Sequence, residues 1–406
     1  MHRAAGIGPR VRANTRKGRH VFGKACRSPL DLPDFKPGVE MQADEPATLK
    51  SVFARQQPLE IIRTLSTALV PYKCICLVAE LGLADQIGDD PVSIDELAAG
   101  SEANADALNR VLGLLASYGI FHRDGRTYAH TPASLLLRSD HPRSMRAYAR
   151  MRGMPMMSAT LLNLEHSVRT GAPAIEAVEP NGVWAYLQGH ADEARIFEQA
   201  MSARAVADVA AVLGAFDFSR FGTIADIGGG RGRVLQAVLD ATPGAQGVLF
   251  DLPAVIDALD VQHERLTPHA GDFFVDPLPV ADAYVLMDVL HDWDDGACVT
   301  ILSRIRDAAA PGTSVLVIEN VLTDDDADTT RGHTVDVTML ALTGGRERSE
   351  AELNKLFSRA GFGNATVTNT DGPVRIVEAK AAMAAGQPGD VALTAERADR
   401  LPTASN

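Results

Sequence analysis

Ile224-Ala225-Asp226-Ile227-Gly228-Gly229-Gly230-Arg231-Gly232 sets a carboxylate two residues ahead of a glycine cluster. The run Thr223 to Ile227 reads as a short buried strand. The glycines allow a tight turn and close backbone approach to a ligand before a helix that starts near Val234. A dinucleotide site uses the same strand, turn and helix, with a third glycine five positions after the first packing helix on strand beneath a pyrophosphate. Counted from Gly228, that position is Arg233, which weakens the NAD reading. S-Adenosylmethionine has no phosphate but carries a sulfonium, an ammonium and a carboxylate, so Asp226 near the turn complements its positive charge. Taken alone, the motif also describes a purely structural turn.

The next strand, Gly247 to Phe250, ends at Asp251, about twenty residues beyond the glycines, where an open α/β sheet presents a carboxylate to a ribose diol. Asp272 and Phe273, in Ala-Gly-Asp-Phe-Phe, pair a carboxylate with an aromatic ring and suit the exocyclic amine and the face of an adenine. Each Asp alone is equally a turn or cap residue; three at successive strand ends on one sheet edge make a ligand site. Tyr284 to Asp295 is a strand running into an acidic turn with Trp293, followed by a helix over Cys298 to Ala309.

Ile-Gly-Gly-Gly-x-Gly, Phe-Asp-Leu-Pro, Gly-Asp-Phe-Phe, Leu-His-Asp-Trp-Asp-Asp and Gly-Gly-Arg-Glu-Arg, in this order, resemble the small-molecule O-methyltransferases of the plant caffeate type. Their bacterial relatives acting on polyketide, phenazine and carotenoid hydroxyls are closer still, and the resemblance spans roughly residues 50 to 380. It implies an α/β fold: a Rossmann-like class I methyltransferase domain preceded by an α-helical winged-helix dimerisation domain. It further implies S-adenosyl-L-methionine as cofactor, a hydroxylated small molecule as acceptor and a homodimer. The family's general base falls on His291, and its two flanking glutamates fall on Glu319 and Glu347. Met201 and Met339 match methionines that contact the acceptor. The plant enzymes carry a lysine four positions before the histidine; Met287 stands there, so either a different cofactor contact is used or Asp288 and backbone groups substitute, and that contact does not carry over. Gly344 to Arg348 follows Met339 after a shorter connection than in the plant enzymes, so the acceptor loop differs and their substrates do not transfer. Some bacterial relatives use this pocket for hydroxylation or decarboxylation, which stands as an alternative.

The chemistry asks for the same residue types. A phenol or alcohol is a poor nucleophile until its proton leaves, and a histidine titrates near neutrality. A carboxylate on the other ring nitrogen would select the tautomer and stabilise the imidazolium. On the residues alone, His291 serves equally as a cap for the following helix. Glu319 closes the apolar strand Ser314 to Ile318, where a solvated strand end is the plain reading. Glu347 directly precedes Ser349-x-x-Glu352, a capping box opening a helix to Arg359, so a charge at a helix N-terminus accounts for it nearly as well. Asp292, Asp294 and Asp295 are read as capping and dipole residues rather than a metal site, and no metal is expected.

The chain has 406 residues, 46% of them apolar, enough for two or three domains. A net charge of −13 argues against nucleic acid. No apolar run approaches the length of a membrane span. Cys26, Cys74, Cys76 and Cys298 are too scattered for a disulfide framework or a metal clamp, so a cytoplasmic setting is expected.

Five segments are expected: a disordered basic extension over 1–48, a winged-helix domain over 49–140, a helical connector over 141–204 that adds to the acceptor pocket, the methyltransferase domain over 205–382, and a disordered tail over 383–406. Up to Leu30 there are eight Arg or Lys and no acidic residue, which also allows a transit peptide or an upstream extension ahead of Met41. Leu59, Ile62, Leu65 and Leu69, then Ile75, Val78 and Ala79 beyond Pro71, recur at helical spacing. Ser93-x-x-Glu96 is a capping box, Ala105 to Tyr118 an apolar helix, and Phe121 to Ala129 a hairpin turning at Asp124-Gly125. A winged-helix regulator reading DNA would need a basic second helix, and this one offers only Arg110. Ser144 to Arg204 reads as helical and methionine-rich, with Trp184 structural.

Overall fold

The computed structural model describes residues 57–259, 263–323 and 329–382. The basic extension expected over 1–48 and the tail expected over 383–406 lie outside the described residues.

The first helices are α1, Pro58–Thr67, and α2, Leu69–Glu80. The chain breaks at Ala68 rather than at Pro71, because Pro71 sits in the first turn of α2, where a missing N–H costs nothing. The expected apolar stripe is real but half of it faces outward: Leu59, Ile62, Leu65 and Leu69 are all more than half exposed, whereas Val78 and Ala79 are buried. β1, Val92–Ser93, leads into α3, Ile94–Gly100, whose start carries the capping box, with Ser93 Oγ accepting from the Glu96 N–H. α4, Ala105–Ser117, buries Leu108, Leu112 and Leu115 on one face. Strands β2, Phe121–Asp124, and β3, Thr127–His130, form the hairpin. Asp124 pairs with Thr127, so the two-residue loop is Gly125-Arg126, one residue later than expected; Gly125, at φ 55°, takes the positive dihedral the tight turn requires. Helix, helix, hairpin is the order expected of a winged helix, closed around Leu83, Ile87, Leu97, Leu112 and Tyr128.

Short helices follow: α5, Arg146–Gly153, α6, Pro155–Leu162, α7, Leu164–Thr170, and α8, Gly182–Gly189. Met151, Met154, Met156 and Met157 pack with one another and with Ile175 and Val183 in a separate cluster, an ordinary core use of a pliable side chain. The long helix α9, Ala191–Ala215, carries on from this cluster into the sheet domain. The boundary expected at residue 204 therefore falls inside one continuous helix.

The sheet explains where the site lies. Strands β4, Thr223–Ile227, β5, Gln246–Asp251, β6, Leu266–Ala270, β7, Ala283–Met287, and β8, Ser314–Glu319, are parallel, and β9, Val321–Leu322, and β10, Arg348–Ser349, form a separate small pair. β11, Thr366–Asn369, and β12, Arg375–Lys380, add an antiparallel edge, giving the order β11-β12-β8-β7-β4-β5-β6. The inner strands are buried along nearly their whole length, as helices on both faces demand. Those helices are α10, Arg233–Ala241, with the end of α9 on one face, and α11, Asp295–Ala308, and α13, Glu350–Arg359, on the other, while α12, Thr329–Leu342, joins the methionine-rich cluster through Leu342. The chain runs outward from β4 to β5 and β6 and then returns to β7 on the other side of β4, so a crevice opens at the carboxyl ends of β4 and β7.

Candidate active site

On one side of the crevice is the glycine turn. Gly228 and Gly230 hold φ values of 69° and 57°, which only glycine adopts at no steric cost. A side chain at Gly228 would meet Val289 and Phe273, and one at Gly229 would overlap Asp226, whereas the space above Gly230 is open. Asp251 Oδ2 accepts the Gly230 N–H at 2.8 Å and Oδ1 accepts the Leu252 N–H at 2.7 Å, so this carboxylate braces the turn. Gln236 does the same from α10, donating Nε2 to the carbonyls of Arg231 and Gly232. Asp226 lies beneath the turn, 1% exposed, with Oδ2 unpartnered. Burial and the nearby Asp251 raise its carboxyl to about 7, against the pull of the Leu235 N–H. Asp272 Oδ1 accepts the Phe274 N–H, and the Phe273 ring stands edge-on to Trp293 at 6.0 Å. Asp226, Gly228, Gly230, Asp251 and Phe273 thus converge around one turn, an open backbone cradle with carboxylates behind it.

The opposite side is built from distant segments. His291 is 3% exposed, in a single turn between β7 and α11. Its Nδ1–H donates to Glu347 Oε1 at 2.8 Å, and its backbone N–H donates to Glu319 Oε1 at 3.1 Å. Both glutamates therefore reach His291, but only Glu347 touches the imidazole. Glu347 is fully buried, and Ser349 with Glu352 forms the capping box of α13 without it, so the helix-charge reading does not describe it. Burial disfavours the charged ring, but Asp292, the Glu347 bond, Asp288 and Glu319 outweigh that cost and raise His291 to about 10. Burial lifts Glu319 to about 7 and Asp292 to about 6. Of the three turn aspartates only Asp294 caps α11, accepting the Ala297 N–H. Asp292 lies 3.8 Å from His291 Nε2, and Asp295 bonds Arg348. The helix accordingly begins three residues before Cys298. Among the described residues, no group of three or more His, Cys, Asp or Glu is arranged to hold a metal ion.

Sequence reasoning missed Arg204 and Arg348. Asp288, a non-glycine residue at φ 54°, ion-pairs with Arg204 at 2.7 Å. Arg204 lies one helical turn beyond Met201 on α9, and that spacing on a largely apolar helix was the available signal. Arg348, the last residue of the Gly-Gly-Arg-Glu-Arg motif, is 1% exposed. Met201 is half-buried and Met339 buried, on α9 and α12 respectively. Trp184 stacks on Trp293 at 6.5 Å, which ties α8 to the turn that carries His291.

A mostly parallel sheet with this strand order and antiparallel edge, and a glycine turn at its switch point, define a class I S-adenosylmethionine-dependent methyltransferase. Comparison with known proteins is more specific: an O-methyltransferase domain matches residues 162–363 and an O-methyltransferase dimerisation domain residues 64–140. The chain is 37% identical over 311 residues to the phenazine O-methyltransferase PhzM of Lysobacter antibioticus, covering 75% of this chain and 91% of that protein. It is 34% identical to the O-demethylpuromycin-O-methyltransferase of Streptomyces alboniger, over 86% of this chain and 96% of that one. The crystal structure of LaPhzM superposes with a TM-score of 0.77 at 36% identity, covering 80% of this chain and all of that one. The O-methyltransferase NcsB1 from neocarzinostatin biosynthesis, solved with S-adenosylmethionine and 2-hydroxy-5-methyl naphthoic acid, gives 0.68 at 32% identity, covering 80% and 99%. The chain belongs to the S-adenosylmethionine-dependent O-methyltransferases that act on small secondary metabolites.

Proposed function

We propose that this enzyme methylates a hydroxyl on an aromatic secondary metabolite, with His291 as general base. The buried bond between His291 Nδ1 and Glu347 Oε1, 2.8 Å long, carries the reading. When bound, S-adenosylmethionine supplies an electrophilic methyl on a sulfonium. The turn at Gly228 and Gly230 and the carboxylate of Asp251 would hold its amino-acid and ribose portions, Asp272 and Phe273 its adenine, and Asp226 supports the turn from below. Glu347 occupies Nδ1, so Nε2 is the nitrogen left to take the acceptor's proton. With its pKa at about 10, the ligand-free ring holds a proton at neutral pH, and entry of a second cation into the cleft favours its release. Glu347 then stabilises the imidazolium formed when the acceptor's proton arrives. Near-complete burial of His291 keeps water from competing for that role. Met201 and Met339 line the acceptor side, where thioethers suit a flat ring.

Leu59 and Ile62, just ahead of the dimerisation domain, and Leu65 and Leu69, at its start, are exposed on α1 and α2, and we assign this face to a homodimer contact. Among the described residues no single helix is long and apolar enough to cross a membrane. Replacing Ile62 and Leu65 with Lys should give a monomer by light scattering; an unchanged dimer would move the contact elsewhere.

The function is tested with S-adenosylmethionine labelled in its methyl group and a panel of hydroxylated aromatic acids that includes 2-hydroxy-5-methyl naphthoic acid. Label should appear as an aryl methyl ether, with or without EDTA. Transfer that depends on added magnesium, or label on carbon or nitrogen alone, would reject the reading.

A further inference from the structure

Arg348 is the largest fully buried side chain among the described residues, and every one of its hydrogen bonds goes to the catalytic turn, the start of α11 or its own segment. Nη1 donates to the Leu290 carbonyl at 2.9 Å and Nη2 to the Trp293 carbonyl at 2.7 Å. Nε and Nη2 both reach Asp295 Oδ1, at 3.0 and 2.9 Å. Leu290 and Trp293 bracket His291 on either side. The same segment makes two further contacts with the turn. Gly345 lies so close that any side chain there would overlap the His291 carbonyl and the Asp292 backbone, and Glu347 holds the imidazole. β10 pairs in parallel with β9, just beyond Glu319, which fixes the segment to the sheet.

We infer that Arg348 is a positioning residue for His291. It holds the backbone of the 290–295 turn at a set distance from Glu347, so that the Nδ1–Oε1 bond forms and Nε2 faces the acceptor. Glu347 and Arg348 are adjacent, so the group that orients the ring and the group that anchors its backbone move as one piece. An apolar side chain would fill the same volume but leave the Leu290 and Trp293 carbonyls without this donor. A lysine, a point charge with no planar fork, cannot span both carbonyls and Asp295 together.

This inference rests on the reading of His291 as the base, and its test reads the imidazole directly. The full-length protein is labelled with [13Cε1]-histidine, the His291 signal is assigned by its loss in His291→Asn, and its titration is followed in the wild type and in Arg348→Lys. S-Adenosylhomocysteine binding, measured by calorimetry, reports an intact fold. The expected result is a His291 midpoint lower by about one pH unit or more, from a loosened Glu347 contact, with S-adenosylhomocysteine affinity within about threefold of wild type. An unchanged midpoint in a protein that still binds S-adenosylhomocysteine overturns the proposal. If Arg348→Lys does not bind it, Asp295→Ala decides, because Asp295 is half exposed and its truncation removes only one anchor. A smaller downward shift supports the clamp and an unchanged midpoint refutes it. Undiminished methyl transfer by His291→Ala would remove the base while leaving a clamp that shifts the titration intact, so the two failures are distinguishable.

Discussion

The two walls of the crevice are held together in different ways. The glycine turn is a local construction: Asp226, Gly228, Gly230, Gln236 and Asp251 lie within one strand-helix-strand unit, and hydrogen bonds from the Asp251 and Gln236 side chains to main-chain groups brace it. The His291 wall draws Arg204 from α9, Asp288 and Asp292 from the end of β7, Glu319 from β8, and Glu347 and Arg348 from the segment after α12. Short-range side-chain partners of a backbone turn carry the first wall, and charges brought together from distant segments the second. Buried charges of this kind contribute little net stability, and breaking one pair is costly because its partner is left uncompensated. The cofactor wall should therefore tolerate change in graded steps, and the catalytic wall should fail sharply.

The largest break in that contrast is His291→Ala, expected to lower turnover by about 10² to 10⁴ while S-adenosylhomocysteine binding stays near wild type. Steady-state kinetics beside calorimetry checks it, and near-wild-type turnover at pH 7 would sink the mechanism. Glu347→Gln comes next, with a loss of about 10- to 100-fold, the usual scale for a partner that orients a histidine. Glu319→Gln should cost less, because Glu319 holds the backbone N–H and does not touch the ring. The reverse ranking would show that the imidazole is governed from β8.

On the cofactor wall, Asp251→Ala should weaken S-adenosylhomocysteine about tenfold, consistent with roughly 1.5–3 kcal/mol for a hydrogen bond to a charged group. Turnover at saturating cofactor should be largely kept; a collapse in kcat with unchanged affinity would place Asp251 in the chemistry instead.

The smallest effect is on stability against pH. His291 is raised to about 10, so its favourable contribution is complete below the unfolded value of about 6.5 and is lost as pH climbs toward 10. Glu319 and Asp226, raised to about 7, hold protons that the unfolded chain has released above about 4, so they also lower stability as pH rises from about 4 to 7. The thermal midpoint of the ligand-free enzyme should fall by about 2 °C or more between pH 5 and 9. Asp226→Asn, uncharged throughout, should flatten the acid part of that slope and leave the alkaline part in place. A midpoint that rises over this range contradicts both assignments.

Much of this molecule was legible before folding. The β4 strand, the capping boxes at Ser93 and Ser349, and the strand ends at Asp251 and Glu319 are local patterns, and they appear where the periodicity and cap residues put them. The hairpin slipped by one residue because Gly125 serves the first loop position better than the second. The α11 start moved because Asp294, not a later residue, caps it. The two glutamates came from a family pattern, and their division of labour between ring and backbone was not visible in it. Arg204 and Arg348 were passed over because a lone arginine in a string of residues reads as a solvated surface charge.

By itself the sequence determined the element order, the glycine turn and the carboxylates behind it, because these follow from local dihedral preference, capping and short-range spacing, whereas His291 was singled out only through the family resemblance. Tertiary structure alone decided which glutamate holds the ring, that Arg204 neutralises Asp288, and that Arg348 clamps the turn. Those pairings join residues 53 to 84 positions apart along the chain. Whether a charge there is solvated, paired or buried depends on which strands become neighbours, and that is a property of the folded sheet rather than of any segment within it.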